Sequence, residues 1–417
     1  MNAHPVPFRP TPLLSRWPRA RRALGLVLGL IATSAARAEV ALPLGPESHQ
    51  VTLTNGDTVT LTRKIAVDVD LQRDFHGPSV VRAANGDLLL FHQDSLEHEG
   101  GDALVSQLRS TDNGFTWTKE KPAADWRARD NAAMFAEAGL TSDGRLAMWV
   151  QVRKKALGGD DAIGPAWLQY SKDHGHTWID VGPADPAHPD SVMNARSFLP
   201  HGDKLYVTAW SSKTGSSLYA SPRRDGLTWT KVSDIFPRSE EHPFPYQQKA
   251  RPLAPFYPNI CFCPDGTVLA VVYSTSGAPA ATSGHDNVNW SRRSTDEGRT
   301  WGPAEIAEPL RNLWAPRLRR ISDQVIMITG RDISRRATVA SFSTDSGRTW
   351  SERLVLDRPG FYGSYAYSDS IEMEPGKYWV FLSSPQGGNP IVAGEKSMGQ
   401  HKGKGDIIGV LLEHRRK

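Results

Sequence analysis

Six positions in this 417-residue chain share one placement: each lies about eight residues upstream of a turn inside a repeated strand–turn–strand unit. They are His76 or Gly77, Phe135, Met193, Tyr257, Ala315 and Tyr367. The return strands of the same units bring Gln93, Gln151, Ala209, Tyr273, Arg331 and Ser383 to that level. Phenols, amides, an imidazole and a guanidinium meeting at one level suit the binding of a sugar ring. Tyr367 reads either as a nucleophile or as a wall aromatic. A phenol with an ordinary pKa of about 10 attacks only beside a base or in strongly cationic surroundings. His76 titrates near neutrality and reads as a general base or acid, or as a satisfied structural histidine. Arg331 adds a cation at the same level, while Arg317, Arg319 and Arg320 read as solvated strand-edge charge or as reach toward an acidic ligand.

These positions count together only if the units are copies of one element. The copies run Pro78 to His92, Ala132 to Val152, Ala195 to Trp210, Asn259 to Tyr273, Pro316 to Arg331 and Tyr367 to Ser383. Their turn residues, 85, 143, 201, 265, 323 and 375, are separated by 58, 58, 64, 58 and 52 positions. Between them recurs a second pattern, S-x-D-x-G-x-T-W, at Ser110 to Trp117, Ser171 to Trp178, Ser294 to Trp301 and Ser343 to Trp350. A worn copy spans Ser221 to Trp229, with Arg224 at the expected Asp position and Asp225 directly before Gly226. This pattern is a β-turn: its Gly supplies a positive φ, its Asp accepts hydrogen bonds from the turn backbone, and its Trp anchors the next strand. Its aspartates are therefore scaffold and not candidate acids.

Six hairpins with five intervening turn motifs predict six four-stranded antiparallel blades closed into a ring, an all-β six-bladed β-propeller. The sixth blade lacks the motif, so the C-terminal strand Asp406 to Leu412 completes it and the N-terminal hairpin, Gln50 to Leu61 around Asn55-Gly56, supplies an outer strand. Inner strands of a propeller converge on one axis, which places the six positions at the mouth of a common funnel.

The turn motif is the Asp-box, and with its surroundings the chain resembles the sialidase (neuraminidase) superfamily of Asp-box, or BNR-repeat, propellers. The resemblance covers nearly the whole chain after residue 38 in fold, but only part of the catalytic set. It implies a glycoside hydrolase releasing a terminal sialic or related acidic sugar. It places Tyr367, in Ala366-Tyr367-Ser368-Asp369, as the nucleophile, and Asp102, in Gly100-Gly101-Asp102-Ala103-Leu104, as acid/base; without it, Asp102 reads as a solvated loop carboxylate. It places Arg335 or Arg336 among three carboxylate-binding arginines, with Arg331 at funnel level as a further cation. The family's first arginine is replaced by His76 in Phe75-His76-Gly77-Pro78. The fourth blade, which in the family carries a glutamate and another arginine, offers Tyr257 and Tyr273. Two other readings stay open: a polysaccharide lyase using His76 with Tyr257 or Tyr273, and a non-catalytic glycan-binding propeller.

Composition excludes several partners. Residues 1–38 read as a secretory signal, with Arg16, Arg19, Arg21 and Arg22 before an apolar run and Ala36-Arg37-Ala38 after it. Export to the periplasm or outside the cell follows, leaving 39–417 as a single propeller domain. Those 38 residues hold six arginines and no acid, so 49 basic residues fall to 43 against 45 acidic ones, a balance of −2. Nucleic acid is thus not an expected partner. The apolar run is short for a membrane span, and the mature chain is expected to be a monomer bound to a glycan without cofactor. Cys261 and Cys263 share one strand face and read as buried thiols. His92 and His98 with Glu97 and Glu99 read as a surface loop before a metal site.

Overall fold

The structure is a computed structural model that describes residues 39–70, 72–96, 100–154, 164–188, 194–211, 213–242, 251–252, 256–275, 287–332, 334–358, 367–384 and 405–417. Six antiparallel sheets of four or more strands follow one another along the chain, with a two-stranded one, Glu241–His242 and Arg251–Pro252, between the third and fourth. Blade 1 is Asp74–Arg82, Leu88–Ser95, Leu104–Ser110 and Thr118–Lys119; blade 2 is Asn131–Leu140, Leu146–Lys154, Trp167–Ser171 and Ile179–Pro183. Blade 3 is Asn194–His201, Lys204–Ser211, Gly215–Pro222 and Thr230–Pro237; blade 4 is Phe256–Phe262, Val268–Thr275, Asn287–Ser294 and Glu305–Ile306. Blade 5 is Leu313–Arg320, Ile326–Asp332, Ala337–Ser343 and Leu354–Asp357. Blade 6 combines both ends of the chain: Ser368–Glu374, Lys377–Ser384 and Asp406–Arg415, with Thr58–Asp68 paired to the last of these. The hairpin read near the N-terminus is present, with Val51 opposite Val59.

The first strands of the six blades touch one another in cyclic order, 1 to 6 and back to 1, so they are the inner strands of a closed propeller. Between neighbouring blades lie six apolar cores, one per interface. Blades stack face to face, so a middle strand is covered on both sides. Leu88-Leu89-Leu90-Phe91 is accordingly apolar throughout and fully buried, where a one-sided sheet would alternate.

The Asp-boxes bind each blade to the one before. Ser110 Oγ accepts from Gly114 N (2.7 Å) and donates to Asp112, whose carboxylate accepts from Thr116 N and Oγ1 (2.9 and 2.6 Å). The boxes at Ser171, Ser294 and Ser343 repeat this pattern. In the worn copy Asp225 takes over, accepting from Thr228 N (2.8 Å). Gly347 has φ of 80°, and a Cβ there would run into Leu269 of blade 4. The other box glycines abut Trp379, Leu89, Ala147 and Leu218 of their preceding blades.

Two hairpins, in blades 3 and 6, are shorter than the rest. In blade 3 His201 pairs directly with Lys204, a two-residue turn, whereas blade 4 places five residues between Phe262 and Val268. Counting eight back from His201 therefore overshoots toward Met193, which lies outside the described residues. The third blade instead brings Arg196 and Ser197 to the bulge that Tyr257 occupies in blade 4. Cys261 and Cys263 are buried free thiols. No helix among the described residues is long and apolar enough to cross a membrane.

Candidate active site

Inner strands end at the axis in a repeated irregularity. The ladder slips between His76 and Ser79, Arg196 and Leu199, Phe256 and Asn259, and Trp314 and Arg317. Ser197, Tyr257 and Ala315 sit within these slips at φ of 53°, 51° and 48°, sparsely populated conformations for residues with a Cβ. Such bulges re-aim the neighbouring side chains toward the axis. Asn259 ties three of them together: its Nδ2 donates to the carbonyls of Tyr257 (2.8 Å) and Pro316 (2.6 Å), and its Oδ1 accepts from Ser197 Oγ (3.0 Å).

Tyr257 and Tyr367 meet there, their hydroxyls 2.8 Å apart. Phe135 packs against Tyr367 at 5.3 Å between centroids, and Gly77 makes room for that ring, since a Cβ at 77 would strike it. Tyr273 stacks on Tyr257 (5.5 Å, 8°) and faces Trp314 (6.1 Å, 17°), while Arg331 lies 4.4 Å from the Trp314 ring centre. Arg196 lies 4.6, 5.1 and 5.4 Å from the ring centres of Tyr257, Phe135 and Tyr367. A recess at this point is lined by Arg196, Tyr257, Ala315 to Arg317, Tyr367 and Ser368.

Beneath the rings lies a buried ionic cluster. Arg317 donates through Nη1 and Nη2 to Glu137 (2.8 Å each) and through Nε to Asp369 (3.2 Å). Arg319 donates to the same Asp369 oxygen, which pulls blades 5 and 6 together, and Val80 N of blade 1 donates to the other (3.0 Å). Burial works against the Arg317 charge, but Asp369 and Glu137 outweigh it and hold the guanidinium protonated above its ordinary range. Burial likewise pushes the Asp369 carboxyl up, but Arg317 and Arg319 bring it below the usual range. The reading of Arg317 as solvated strand-edge charge is therefore corrected. Its neighbour Pro316 and the slip at 314–317 turn it inward, where it is 3% exposed.

Tyr367 and Tyr273 are held neutral. Burial raises Tyr367 well above its ordinary pKa, reinforced by Tyr257 and Tyr273 and opposed by Arg196. Burial raises Tyr273 in the same way, against Arg331 and Arg196. Arg331 is pushed down to about 10 by burial, and the three tyrosines limit the fall. No acid pairs with Arg331 among the described residues.

The structure separates the remaining sequence candidates. His76 is fully buried and bound to Asp74 through Nε2 (2.7 Å), with its ring edge-on to Tyr367 at 6.2 Å. No face of the ring meets solvent. Asp102 accepts from Arg73 Nη1 (3.1 Å) and Leu96 N, and its neighbour Ala103 packs in the apolar cluster that holds Phe135 and Tyr367. Arg335 and Arg336 occupy the exposed turn after the second strand of blade 5, and Arg335 donates to Asp332 and to the Arg353 carbonyl. They are not among the residues lining the recess. His92 is buried on Asp68 (3.0 Å), and residues 97–99 lie outside the described set. No group of three or more metal-binding side chains occurs among the described residues. Sequence counting missed Arg196 and Glu137. The Gly202 turn was the available signal for Arg196, because it marks a hairpin shorter than those of blades 1, 2, 4 and 5.

The fold and its repeats define a six-bladed propeller carrying BNR, or Asp-box, turns. Residues 60–250 match the BNR repeat-like domain family. No curated protein sequence matches the chain. Among solved structures it is similar to a protein of unknown function from Dyadobacter fermentans (16% identity, covering 87% of this chain and 100% of that one, TM-score 0.62). It is also similar to the GH93 α-L-arabinofuranosidase of Fusarium graminearum (14%, 91% and 98%, 0.57). A third is the NanB sialidase from Streptococcus pneumoniae (11%, 84% and 69%, 0.56). The architecture is thus a glycoside hydrolase-like propeller.

Proposed function

We propose that the chain is an exported, exo-acting glycoside hydrolase that removes a terminal acidic sugar in a sialidase-like manner. The observation carrying this reading is the meeting of Tyr367, Tyr257 and Tyr273 at the propeller axis under the field of Arg331, which no described acid neutralises. Tyr367 Oη attacks the anomeric carbon as the bond to the leaving oxygen breaks, and its proton leaves through the hydrogen-bonded Tyr257 hydroxyl, which passes its own proton on to solvent as it takes this one. Asp102 protonates the leaving oxygen, and water then cleaves the glycosyl–tyrosine bond, so the sugar retains its anomeric configuration. Tyr nucleophiles are a known exception to the two-carboxylate scheme of glycosidases.

The test is sugar release from a panel of glycans ending in sialic acid, uronic acid or arabinofuranose. Release from the acidic termini, falling at least about 100-fold in Tyr367→Phe, is expected for loss of a nucleophile. Release from arabinofuranosides alone would overturn the acidic-sugar assignment. Silence across the panel, with binding retained, would make the propeller a glycan-binding module.

A further inference from the structure

Arg196 is the residue of the site that the resemblance to sialidases leaves unassigned: the family's arginines map to the first, fourth and fifth blades, and Arg196 stands on the third. Its side chain is 6% exposed, yet it is only weakly neutralised. Nη1 lies 3.6 Å from Glu137, a carboxylate already held by Arg317 at 2.8 Å through both oxygens. Nε and Nη2 have no hydrogen-bond partner among the described residues. In the cluster as a whole, Glu137 and Asp369 are the only acids paired with Arg196, Arg317 and Arg319 among the described residues. A buried charge whose one ion-pair partner is shared, and whose Nε and Nη2 make no hydrogen bond, is costly and, at a recess, points to a ligand that supplies the missing charge.

We propose that Arg196 is the residue by which this site selects a carboxylate-bearing sugar. Nε and Nη2 form the planar edge of a guanidinium that grips two carboxylate oxygens at once. The rings of Phe135, Tyr257 and Tyr367 fix that edge in orientation, and Glu137 steadies it from the far side. The Tyr257 and Tyr367 hydroxyls lie beside it for the ring hydroxyls of the same sugar. This inference rests on the reading of the site as a sugar site, but it concerns binding and not turnover.

The test is equilibrium binding by calorimetry. The probes are N-acetylneuraminate and glucuronate against their neutral counterparts N-acetylmannosamine and glucose, measured on wild type, Arg196→Met and Arg196→Lys. Wild type is expected to prefer the acids. Arg196→Met is expected to lose roughly ten- to hundred-fold in affinity for the acids, the loss of a charge-assisted pair, with little change for the neutral sugars. Arg196→Lys should regain part of the loss, since it restores charge without the planar edge. Its folded state, checked by thermal melting, also covers the case of a misfolded Arg196→Met. An equal loss for acidic and neutral sugars would show that Arg196 only props the rings and would overturn the proposal. So would a wild type without preference for the acids. A Tyr367→Phe variant that still binds the acids, beside a wild type that releases no sugar, would sink the hydrolase reading and leave Arg196 in its role.

Discussion

At the scale of single residues, burial sets the chemistry of the axis. Tyr367 and Tyr273 are raised by desolvation, so each keeps its proton in the folded chain at a pH where an unfolded tyrosine has lost it. A group with its folded pKa raised stabilises fully below its unfolded value and loses that contribution as pH rises past it. Unfolding in urea should therefore show a midpoint that falls as pH climbs above about 10, the ordinary tyrosine value. Tyr273→Phe and Tyr367→Phe should flatten that alkaline limb, and an unchanged slope in both variants would refute the assignment. The same two residues mark how far the sequence could be read. Tyr257, Tyr273 and Arg331 were legible because their hairpins share one turn length, five residues between the paired strands. Arg196 was not, because the two-residue turn of its own hairpin shifts the count. Glu137, Arg317 and Asp369 escaped for another reason: a charged side chain on an inner strand looks the same in sequence whether it meets water or an opposite charge from another blade.

At the scale of elements, the Asp-boxes were read correctly because their chemistry is local. The hydrogen bonds that join Ser, Asp, Gly and Thr within a box lie within five residues, so spacing alone determines them. The box glycine then fixes how closely two blades approach. Four hydrogen bonds from the box backbone and side chains hold the Asp173 carboxylate; burial opposes them, yet the net shift is down to about 2 from an ordinary 3.8. A depressed folded pKa stabilises fully above the unfolded value and is lost as pH falls through the folded one. Acid unfolding should thus set in between pH 3.8 and about 2, where Asp173, Asp265 and Asp296 titrate together. Asp173→Asn should cost about 1 kcal/mol at neutral pH, the lower end for a charge-assisted hydrogen bond at a solvated site, and should lessen the acid sensitivity. Thermal melts from pH 5 to pH 2 measure both effects. A variant as acid-sensitive as wild type would mean that other carboxylates govern acid unfolding.

At the scale of the molecule, a ring must be shut somewhere, and here both chain ends lie in blade 6. Asp406–Arg415 runs between Lys377–Ser384 and Thr58–Asp68, so one strand carries two ladders. The missing sixth box made this closure legible, since a blade without its own fourth strand must borrow one from the other terminus. The closure was readable only in outline, because the partner strand lies some 350 positions away and no local pattern fixes its register. Within the closing strand Ile407, Ile408, Val410 and Leu412 are buried at 0–1% exposure. Each contributes about 1.5–3 kcal/mol of burial, and four of them match the whole stability typical of a folded domain, about 5–15 kcal/mol. A chain ending at Gly405 should therefore lose its cooperative thermal transition and become sensitive to protease throughout, not only near its end. Because the vacancy is an edge between two strands, a synthetic peptide of residues 406–417 added to that chain should restore the transition by strand addition. A truncated chain that melts cooperatively without the peptide would show that five blades and an open sixth suffice, and that the two-ladder strand is not what holds the ring shut.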